Sequence, residues 1–272
     1  MNNSEKLPTL YLPHWWWPWN LMDENAFDKE WYSKLTNYLK SVWERYEKDI
    51  KSILIISAHW EEENPTIYST DKSKLFYDYY CFPNNTYNVD YNIIWDNSLS
   101  EKIELLLTDN WFDVDVNHTR WYDHWTFIPL MVAFPDIKAP VIQLSLMNWL
   151  DAKNHIKLWN ALEKLRSEWV LIIGSWMSYH NINWLLSNNQ ENYSISKQFN
   201  QWLTEILIIN DNERRINALI NWKNIPWSNE CHPRSEHLTP LFVIAWAWWI
   251  DTWKLDYSET LMNVNITSYK FW

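Results

Sequence analysis

SILIIS, residues Ser52–Ser57, is a continuous run of apolar and β-branched side chains with the length of a buried strand. A second run of this kind, VLII, occupies Val170–Ile173. Strands that are apolar on both faces are typical of parallel sheets covered by helices on either side. These two segments therefore predict the centre of an α/β fold, and the rest of the chain is interpreted outward from them.

Around these segments, short apolar strands alternate with amphipathic helices. Further strands are predicted at Thr9–Leu12, Thr66–Ser69, Val141–Leu146 and Asn263–Tyr269. Helices are predicted at Asp23–Asp49, Ser98–Asp109, Asp151–Ser167, Ser194–Ile209, Asn212–Ile220 and Glu236–Ala247, the second of them capped by Ser98 or Ser100. No linker or repeat interrupts the alternation, so we expect a single domain over residues 1–272. Its central sheet should be mostly parallel or mixed, with helices on both faces.

The composition argues against several classes of protein. A net charge of -11 disfavours nucleic acid or an anionic membrane surface as the main partner. Two cysteines, Cys81 and Cys231, do not make a disulfide framework, which favours a reducing cytoplasm. Met1–Pro8 has no apolar signal core, and the longest apolar stretch, Leu241–Ile250, is too short to cross a bilayer. We therefore expect a cytoplasmic protein that binds neither nucleic acid nor membrane.

The chain contains 24 tryptophans but one glycine. Ordinary usage would give roughly 19 glycines at this length, and only glycine enters left-handed backbone regions without steric cost. Tryptophans stand where chain chemistry favours glycine at Trp15–Trp17, Trp125, Trp176, Trp246, Trp248 and Trp249. Some bacterial genetic codes read the codon UGA as glycine and others read it as tryptophan. We predict that most of these tryptophans are glycines in the natural protein, whereas an indole suits the context at Trp19, Trp60, Trp202 and Trp222.

Three of the eight histidines follow predicted strands. His14, His59 and His180 each come just after the carboxyl end of such a strand. Ligands of open α/β sheets bind at that edge, so three imidazoles there predict a metal site. The sequence has no H-E-x-x-H motif and no Cys-pair signature, so spacing alone does not define the chemistry.

Local motifs define it more closely once glycine replaces the suspect tryptophans. The segments are then PHGGGPW at Pro13–Trp19, SAHWE at Ser57–Glu61, DHGTFIPL at Asp123–Leu130, IGSGMSYHN at Ile173–Asn181 and CHPRSEHLTPL at Cys231–Leu241. Together with YDYYCFPNNTY at Tyr77–Tyr87 and PVIQLSL at Pro140–Leu146, they resemble the class III (LigB-like) extradiol ring-cleavage dioxygenases, in the branch of the DOPA 4,5-dioxygenase-like proteins. The resemblance runs in consistent order from about Leu10 to Ala247, and it departs from the family pattern at the tryptophans.

The resemblance implies a role for each matching residue. The metal ligands would be His14, His59 and His237, with Glu236 as the alternative third ligand because the wider class uses a carboxylate there. His180 matches the catalytic acid/base and His124 a histidine close to the substrate. His232 would contact the substrate or the metal ligands. Apart from the resemblance, Asp123 is expected either to orient an imidazole, as carboxylates beside metal-binding histidines commonly do, or to be a surface or capping residue. His118 and His155 match no motif and are interpreted as surface or helix residues.

These roles imply a reaction in which Fe(II) and O2 cleave the ring of a catechol, as in the catabolism of aromatic compounds. Three protein ligands leave open positions on Fe(II) for both hydroxyl oxygens and for O2. Zn(II) also suits imidazole ligands, so a zinc hydrolase and a non-catalytic metal- or ligand-binding protein remain alternatives. A serine nucleophile is excluded at Ser175, which lies in no G-x-S-x-G motif. Walls for the aromatic substrate, or simply core packing, are expected from Tyr77, Tyr79, Tyr80 and Phe82.

Overall fold

The computed structural model describes residues 6–13, 18–22, 29–70, 73–187, 191–209, 211–244 and 253–272. Within these ranges the strands are β1 (Thr9–Pro13), β2 (Ser52–Glu62), β3 (Thr66–Tyr68), β4 (Leu75–Phe76), β5 (Asp115–Asn117), β6 (Tyr122–Asp123), β7 (Val141–Met147), β8 (Val170–Trp176), β9 (Trp253–Leu261) and β10 (Val264–Phe271). The helices there are α1 (Lys29–Tyr46), α2 (Asn97–Asp109), α3 (His124–Ala133), α4 (Ala152–Leu162), α5 (Ile182–Leu186), α6 (Glu191–Leu207), α7 (Asn212–Ile220), α8 (Ser228–Cys231) and α9 (Thr239–Ile244).

Among the described residues, eight strands form one mixed sheet in the order β5-β3-β7-β2-β8-β1-β10-β9. The central strands β7, β2, β8 and β1 are parallel to one another. The antiparallel pairings lie towards the edges, where β3 meets β7 and where β10 meets both β1 and β9. The prediction of an α/β fold with a mixed central sheet is confirmed.

Alternate residues of β8 identify the two helical layers. The hydroxyl of Ser175 donates to the backbone carbonyl of Trp125 at the start of α3. The preceding residue, Gly174, faces α9 so closely that a Cβ there would lie 3.0 Å from the carbonyl oxygen of Pro240. Because successive side chains of a strand point to opposite faces, α3 and α9 cover opposite sides of the sheet.

The main buried contacts come from the apolar faces of these elements. On α1, Leu35, Leu39 and Val42 recur at helical spacing and are fully buried. Strand β2 buries every residue from Ile53 to Ala58, which explains its unbroken apolar sequence. No helix in the described ranges has the length and apolar character needed to cross a lipid bilayer.

Several predicted boundaries moved. Strand β2 extends to Glu62, so His59 lies inside it rather than after its end. The reason is that β2 stops pairing with β8 at Ser57 and pairs again with β7 at Glu61, across a register shift that leaves His59 in the irregular stretch. The N-cap of α2 is Asp96, whose carboxylate accepts from the Ser98 amide, rather than either serine.

The last predicted helix also differs. It begins at Thr239 rather than Glu236, because residues 236–238 form a turn, and Pro240 occupies its first turn as expected. Its predicted end at Ala247 lies outside the described residues, as do Trp246, Trp248 and Trp249. The segment His14–Trp17, with one predicted metal ligand and the triple tryptophan, also lies outside them.

Candidate active site

Four of the predicted site histidines come together at one edge of the sheet. His59 is held by β2, His124 is the first residue of α3, His180 follows β8, and His237 lies in the turn before α9. The ring centroid of His59 lies 4.9 Å from that of His124 and 5.3 Å from that of His237. The rings of His180 and His237 are stacked, with their centroids 3.3 Å apart.

One carboxylate, that of Asp78, joins two of these imidazoles. Its Oδ2 lies 2.9 Å from Nδ1 of His59, and its Oδ1 lies 2.6 Å from Nδ1 of His124. The backbone N–H of His124 also donates to Oδ1, at 3.0 Å. Burial alone would raise the pKa of Asp78, but the hydrogen bonds from His124 and His59 bring that pKa below its ordinary value. The Nδ1 atoms of both rings are therefore held by the same carboxylate.

Asp78 was not predicted from the sequence. It sits in the segment Tyr77–Tyr87, whose aromatic residues drew attention to packing instead. The signal that could have found it is a lone carboxylate in a segment that resembles the family, because imidazoles that bind metals commonly donate their second N–H to a carboxylate.

Asp123 organises the backbone around His124. Its buried carboxylate accepts from the hydroxyl of Ser57, the side-chain amide of Gln143 and the Thr126 amide, which makes it the N-cap of α3. Burial and the nearby charge of Asp78 raise the pKa of Asp123. These hydrogen bonds join β2, β7 and α3, whereas the carboxylate that contacts the imidazoles of His59 and His124 is that of Asp78.

A second group contains His180, Glu236 and His237. Oε1 of Glu236 lies 2.7 Å from Nδ1 of His237 and 3.5 Å from Nδ1 of His180. Burial, reinforced by the neighbouring His237, lowers the pKa of His180 well below its usual value. The backbone N–H of His180 donates to the carbonyl of Cys231 at 2.8 Å, which ties β8 to the segment that carries His237.

The indole of Trp125 lies in the middle of these imidazoles. Its centroid is 4.5 Å from that of His237, 4.7 Å from His59, 5.7 Å from His124 and 6.4 Å from His180. The side chain is fully buried. The indole thus fills the space on which the four rings converge.

Three more histidines, His118, His155 and His232, make hydrogen bonds to groups outside this set. His232 is buried, donates from Nε2 to the carbonyl of Ser178 at 3.1 Å, and has its pKa lowered to about 4 by burial. His118 contacts the carbonyl of Ser69 through Nδ1. His155 is buried in α4, donates from Nδ1 to Asp151 and accepts from the Met147 amide. These hydrogen bonds are typical of structural roles.

The aromatic residues near the site divide into two kinds. The ring of Tyr79 lies edge-on to His124, with centroids 5.4 Å apart, and its hydroxyl donates to the carbonyl of Thr86. Tyr77 and Phe82 pack around Tyr79. The side chain of Tyr80 is 78% exposed. The ring of Tyr79 is therefore in contact with a site histidine.

The donor set suits a mononuclear metal ion. The ligand-capable atoms of His180, Glu236 and His237 lie within 4.8 Å of one another, and those of His59, Asp78 and His124 form another such group. Imidazole nitrogens with a carboxylate are a common ligand set for Fe(II) and for Zn(II). The residues fit a metal in kind and in spacing, although the indole of Trp125 occupies part of the space that a bound substrate would need.

Comparisons with known proteins identify the family of the chain. Residues 8–263 match the family described as "Catalytic LigB subunit of aromatic ring-opening dioxygenase". The chain is 34% identical to "4,5-DOPA dioxygenase extradiol" of Beta vulgaris over 207 residues, which cover 74% of this chain and 75% of that protein. It is 30% identical to "Dioxygenase tasH" of Hapsidospora irregularis, over 82% of this chain and 71% of that one.

A solved structure supports the fold. The crystal structure of an uncharacterized protein from Escherichia coli K12 superposes with a TM-score of 0.74 at 20% identity, covering 97% of this chain and 99% of that one. The likeness extends to the whole sheet and its helices, and the family match spans the segments that carry His59, His124, His180 and His237. The chain therefore belongs to the LigB family of catalytic subunits of aromatic ring-opening dioxygenases.

Proposed function

We propose that this protein is an Fe(II)-dependent extradiol dioxygenase that opens the ring of a catechol with O2 to give a ring-opened semialdehyde. The observation that carries the proposal is the convergence of four imidazoles and Glu236 at one edge of a sheet whose chain matches the LigB family. Relatives named as extradiol dioxygenases, at 30–34% identity over most of this chain, support the reaction class.

Three histidines are assigned to the metal: His14, His59 and His237. His59 and His237 lie on different elements but within contact distance, and His14 directly follows β1, the neighbour of β8 in the sheet. Glu236 is the alternative third ligand, since its carboxylate already contacts His237. Bound Fe(II) would supply open coordination positions for the two adjacent hydroxyl oxygens and for O2.

His180 is assigned as the acid/base. Its ring stacks on that of His237, so it lies beside the proposed ligands. It is carried by a different segment of the chain, the one that follows β8. A neutral imidazole can accept the proton of a substrate hydroxyl and later return it, which typically contributes about 10²–10⁴-fold in rate. His124, whose Nδ1 is held by Asp78, would accept a hydrogen bond from a substrate hydroxyl at Nε2.

Neighbouring residues fix the orientation of these imidazole rings. Because Asp78 contacts Nδ1 of both His59 and His124, we assign the Nε2 atoms of the two rings to the metal and the substrate. The ring of Tyr79 lies edge-on to that of His124, with the centroids 5.4 Å apart.

The test uses the Trp125→Gly variant, because the wild-type indole fills the centre of the site. The protein is loaded with Fe(II) under anaerobic conditions, mixed with a panel of catechols, and then exposed to air. We expect O2 uptake together with a yellow ring-fission product. Introducing His180→Ala should abolish turnover while metal content is retained, whereas the control His118→Ala, at a histidine outside the site, should keep both.

Other outcomes would contradict the proposal. Zinc-dependent hydrolysis of esters or amides without O2 uptake would indicate a hydrolase on the same scaffold. Metal binding without turnover across the panel would indicate a binding protein. Loss of metal in His180→Ala would mean that His180 is a ligand and that the assignment of roles is wrong.

A further inference from the structure

We propose that residue 125 is a glycine in the natural protein, and that the volume filled by its indole is the pocket that receives the planar ring of the aromatic substrate. The nature of the ligand rests on the proposed function. The glycine assignment stands on backbone geometry elsewhere in the chain and applies to a specific set of tryptophans.

The first observation is the contact between the indole of Trp125 and the site imidazoles. Its indole is fully buried and packs against both His237 and His59, at centroid distances of 4.5 and 4.7 Å that are ordinary for aromatic contacts. A planar ring therefore fits against these two imidazoles. A catechol ring is smaller than an indole, so the same space would accept it once no side chain projects from residue 125.

The carboxyl end of α2 shows why tryptophan is the wrong residue elsewhere. The amide of Trp111 donates to the carbonyl of Thr108, and the amide of Phe112 donates to that of Leu107. This pair of hydrogen bonds is a Schellman motif, whose C′ residue is left-handed and usually glycine. Trp111 occupies that position with φ 67° and an indole that is 96% exposed. The side chain gains almost no burial that could offset its strained backbone.

A tight turn before α8 gives the same indication. The amide of Ser228 donates to the carbonyl of Ile225, and Pro226 and Trp227 are the central residues. Trp227 has φ 71° and ψ 7°, the values of the third residue of a type II turn. That residue requires positive φ and is typically glycine after a proline.

Two more tryptophans have a left-handed backbone conformation. Trp169, which ends the 3-10 turn after α4, has φ 67°, and Trp121 before β6 has φ 64°. Among the described residues, eight that are not glycine have positive φ, and four of them are Trp111, Trp121, Trp169 and Trp227. A bulky aromatic residue is an outlier in this region, so its repeated use there indicates glycine.

Buried tryptophans give an independent indication through crowding. The centroid of Trp176 lies 3.1 Å from that of Tyr11, and that of Trp253 lies 2.8 Å from that of Phe271. Aromatic rings in proteins pack at about 4.5–7 Å between centroids. Removing the side chain at either tryptophan relieves the overlap without moving Tyr11 or Phe271.

The proposal thus separates two classes of tryptophan. Glycine is assigned at Trp111, Trp121, Trp125, Trp169, Trp176, Trp227 and Trp253. Trp60 and Trp222 are retained as tryptophan, because neither has positive φ and each has ordinary contacts for an indole. The centroid of Trp222 lies 6.0 Å from that of His232 and 6.2 Å from that of Phe242, and the indole N–H of Trp60 donates to Glu62 at 2.7 Å. In the gene, the first class should be UGA codons that the source cell reads as glycine, and the second class should be UGG.

The decisive experiment reads the codons and the peptides of the native protein. We expect UGA at residue 125 and a native peptide whose mass contains glycine there, with UGG and tryptophan at residues 60 and 222. A UGG codon at residue 125, or a native peptide with tryptophan, would overturn the proposal whatever the activity of the enzyme.

A binding experiment tests the pocket itself. The probe is 4-nitrocatechol, whose absorption changes on binding, titrated anaerobically into the full chain loaded with Fe(II). Trp125→Gly should gain at least a tenfold increase in affinity over the chain with tryptophan, and the control Trp111→Gly, far from the imidazoles, should gain none. Equal affinity with and without the indole would refute the pocket. If Trp125→Gly binds the probe but no catechol is cleaved, the pocket stands and the proposed reaction fails.

Discussion

At the scale of single residues, Asp78 is central to the site because its one carboxylate positions two imidazoles. In Asp78→Asn, the amide keeps one acceptor oxygen, so only one of the two Nδ1–H groups retains its partner. We expect metal affinity to fall by about 10–100-fold, as for other groups that orient metal-binding histidines. A chelator competition in the Trp125→Gly background measures it.

The matched control is Asp136→Asn, which changes an exposed carboxylate in the loop after α3. It should leave the affinity unchanged. Metal binding by Asp78→Asn as tight as by the control would contradict the positioning role, and the ¹⁵N shifts of the imidazoles would then show both rings in their original tautomer.

Burial of His155 should make the free energy of unfolding depend on pH. Burial lowers the pKa of His155 to about 4, compared with about 6.5 for an exposed histidine. The unfolded chain therefore binds the proton more readily, so the contribution to stability is complete above pH 6.5 and is lost as the pH falls towards 4. The loss amounts to about 3 kcal/mol.

Urea unfolding at pH 7 and at pH 4.5 measures this effect. The glutamine amide of His155→Gln can still donate and accept but does not titrate, so this variant should lose less stability between the two pH values than the wild type does. Equal losses in the two proteins would show that other groups account for the acid sensitivity.

The sequence motifs selected histidines that the fold brings close together. His59, His124, His180 and His237 were selected from separate segments, and all four rings meet in the structure. Asp78 was missed because its partners are 19 and 46 residues away in sequence, so only the fold shows that it touches them. The roles of these residues, and the place of His14, remain predictions.

At the scale of elements, the end of α2 gives a clean test of the glycine assignment. Trp111 is left-handed and exposed, so Trp111→Gly removes backbone strain and loses almost no burial. We expect the free energy of unfolding to rise by about 1 kcal/mol. Chemical denaturation followed by circular dichroism measures it.

Trp222→Gly is the opposite control, since that indole is buried against Phe242 and His232 without positive φ. It should destabilise the protein by at least about 3 kcal/mol. If Trp111→Gly is also destabilising, the left-handed turn is not a glycine position.

Element prediction depended on how strongly each segment was patterned. Helix α7 was predicted with its observed bounds, Asn212–Ile220, because Asp211 caps an amphipathic segment. Helix α3 was missed because its residues are almost all buried and Pro129 lies within it, so it has neither an amphipathic face nor an uninterrupted helical sequence. Strand β9 was missed because polar residues dominate it, as its mainly exposed burial pattern explains.

At the scale of the whole molecule, Asp256 links the first described helix to the last two strands. Its carboxylate is 2.9 Å from Arg45 and 3.0 Å from Tyr38, both on α1, and 3.0 Å from Lys270 on β10. Burial would raise the pKa of Asp256, but the charges of Arg45 and Lys270 hold it below the ordinary value. The stability that this group provides is therefore present above about pH 4 and is lost as the carboxylate is protonated.

Asp256→Asn should lower the free energy of unfolding by about 1–3 kcal/mol, because Arg45 and Lys270 lose their charged partner in a half-buried setting. Thermal and urea unfolding at pH 7 measure it. Glu259→Gln removes an exposed ion pair with Lys34 between the same helix and β9, and it should have little effect. Similar losses in the two variants would show that burial of the ion pair is unimportant here.

The class of the fold could be predicted from sequence, but the order of its strands could not. SILIIS and VLII indicated a buried parallel centre, which β2 and β8 form as neighbours. Nothing local in Asn263–Tyr269 indicates that β10 inserts between β1 and β9, because that place depends on pairing with a strand more than 250 residues earlier. The division into one domain stays a prediction.

The close approach of Gly174 to Pro240 also bears on how such enzymes can change over time. Even one methyl group at residue 174 would act as a wedge between strand and helix, and the helix follows directly on the turn that holds His237. A change remote from the reacting atoms would then alter the spacing of His180 and His237, which flank this contact along the chain. Substitution of Gly174 is therefore expected to be penalised through chemistry before it is penalised through folding.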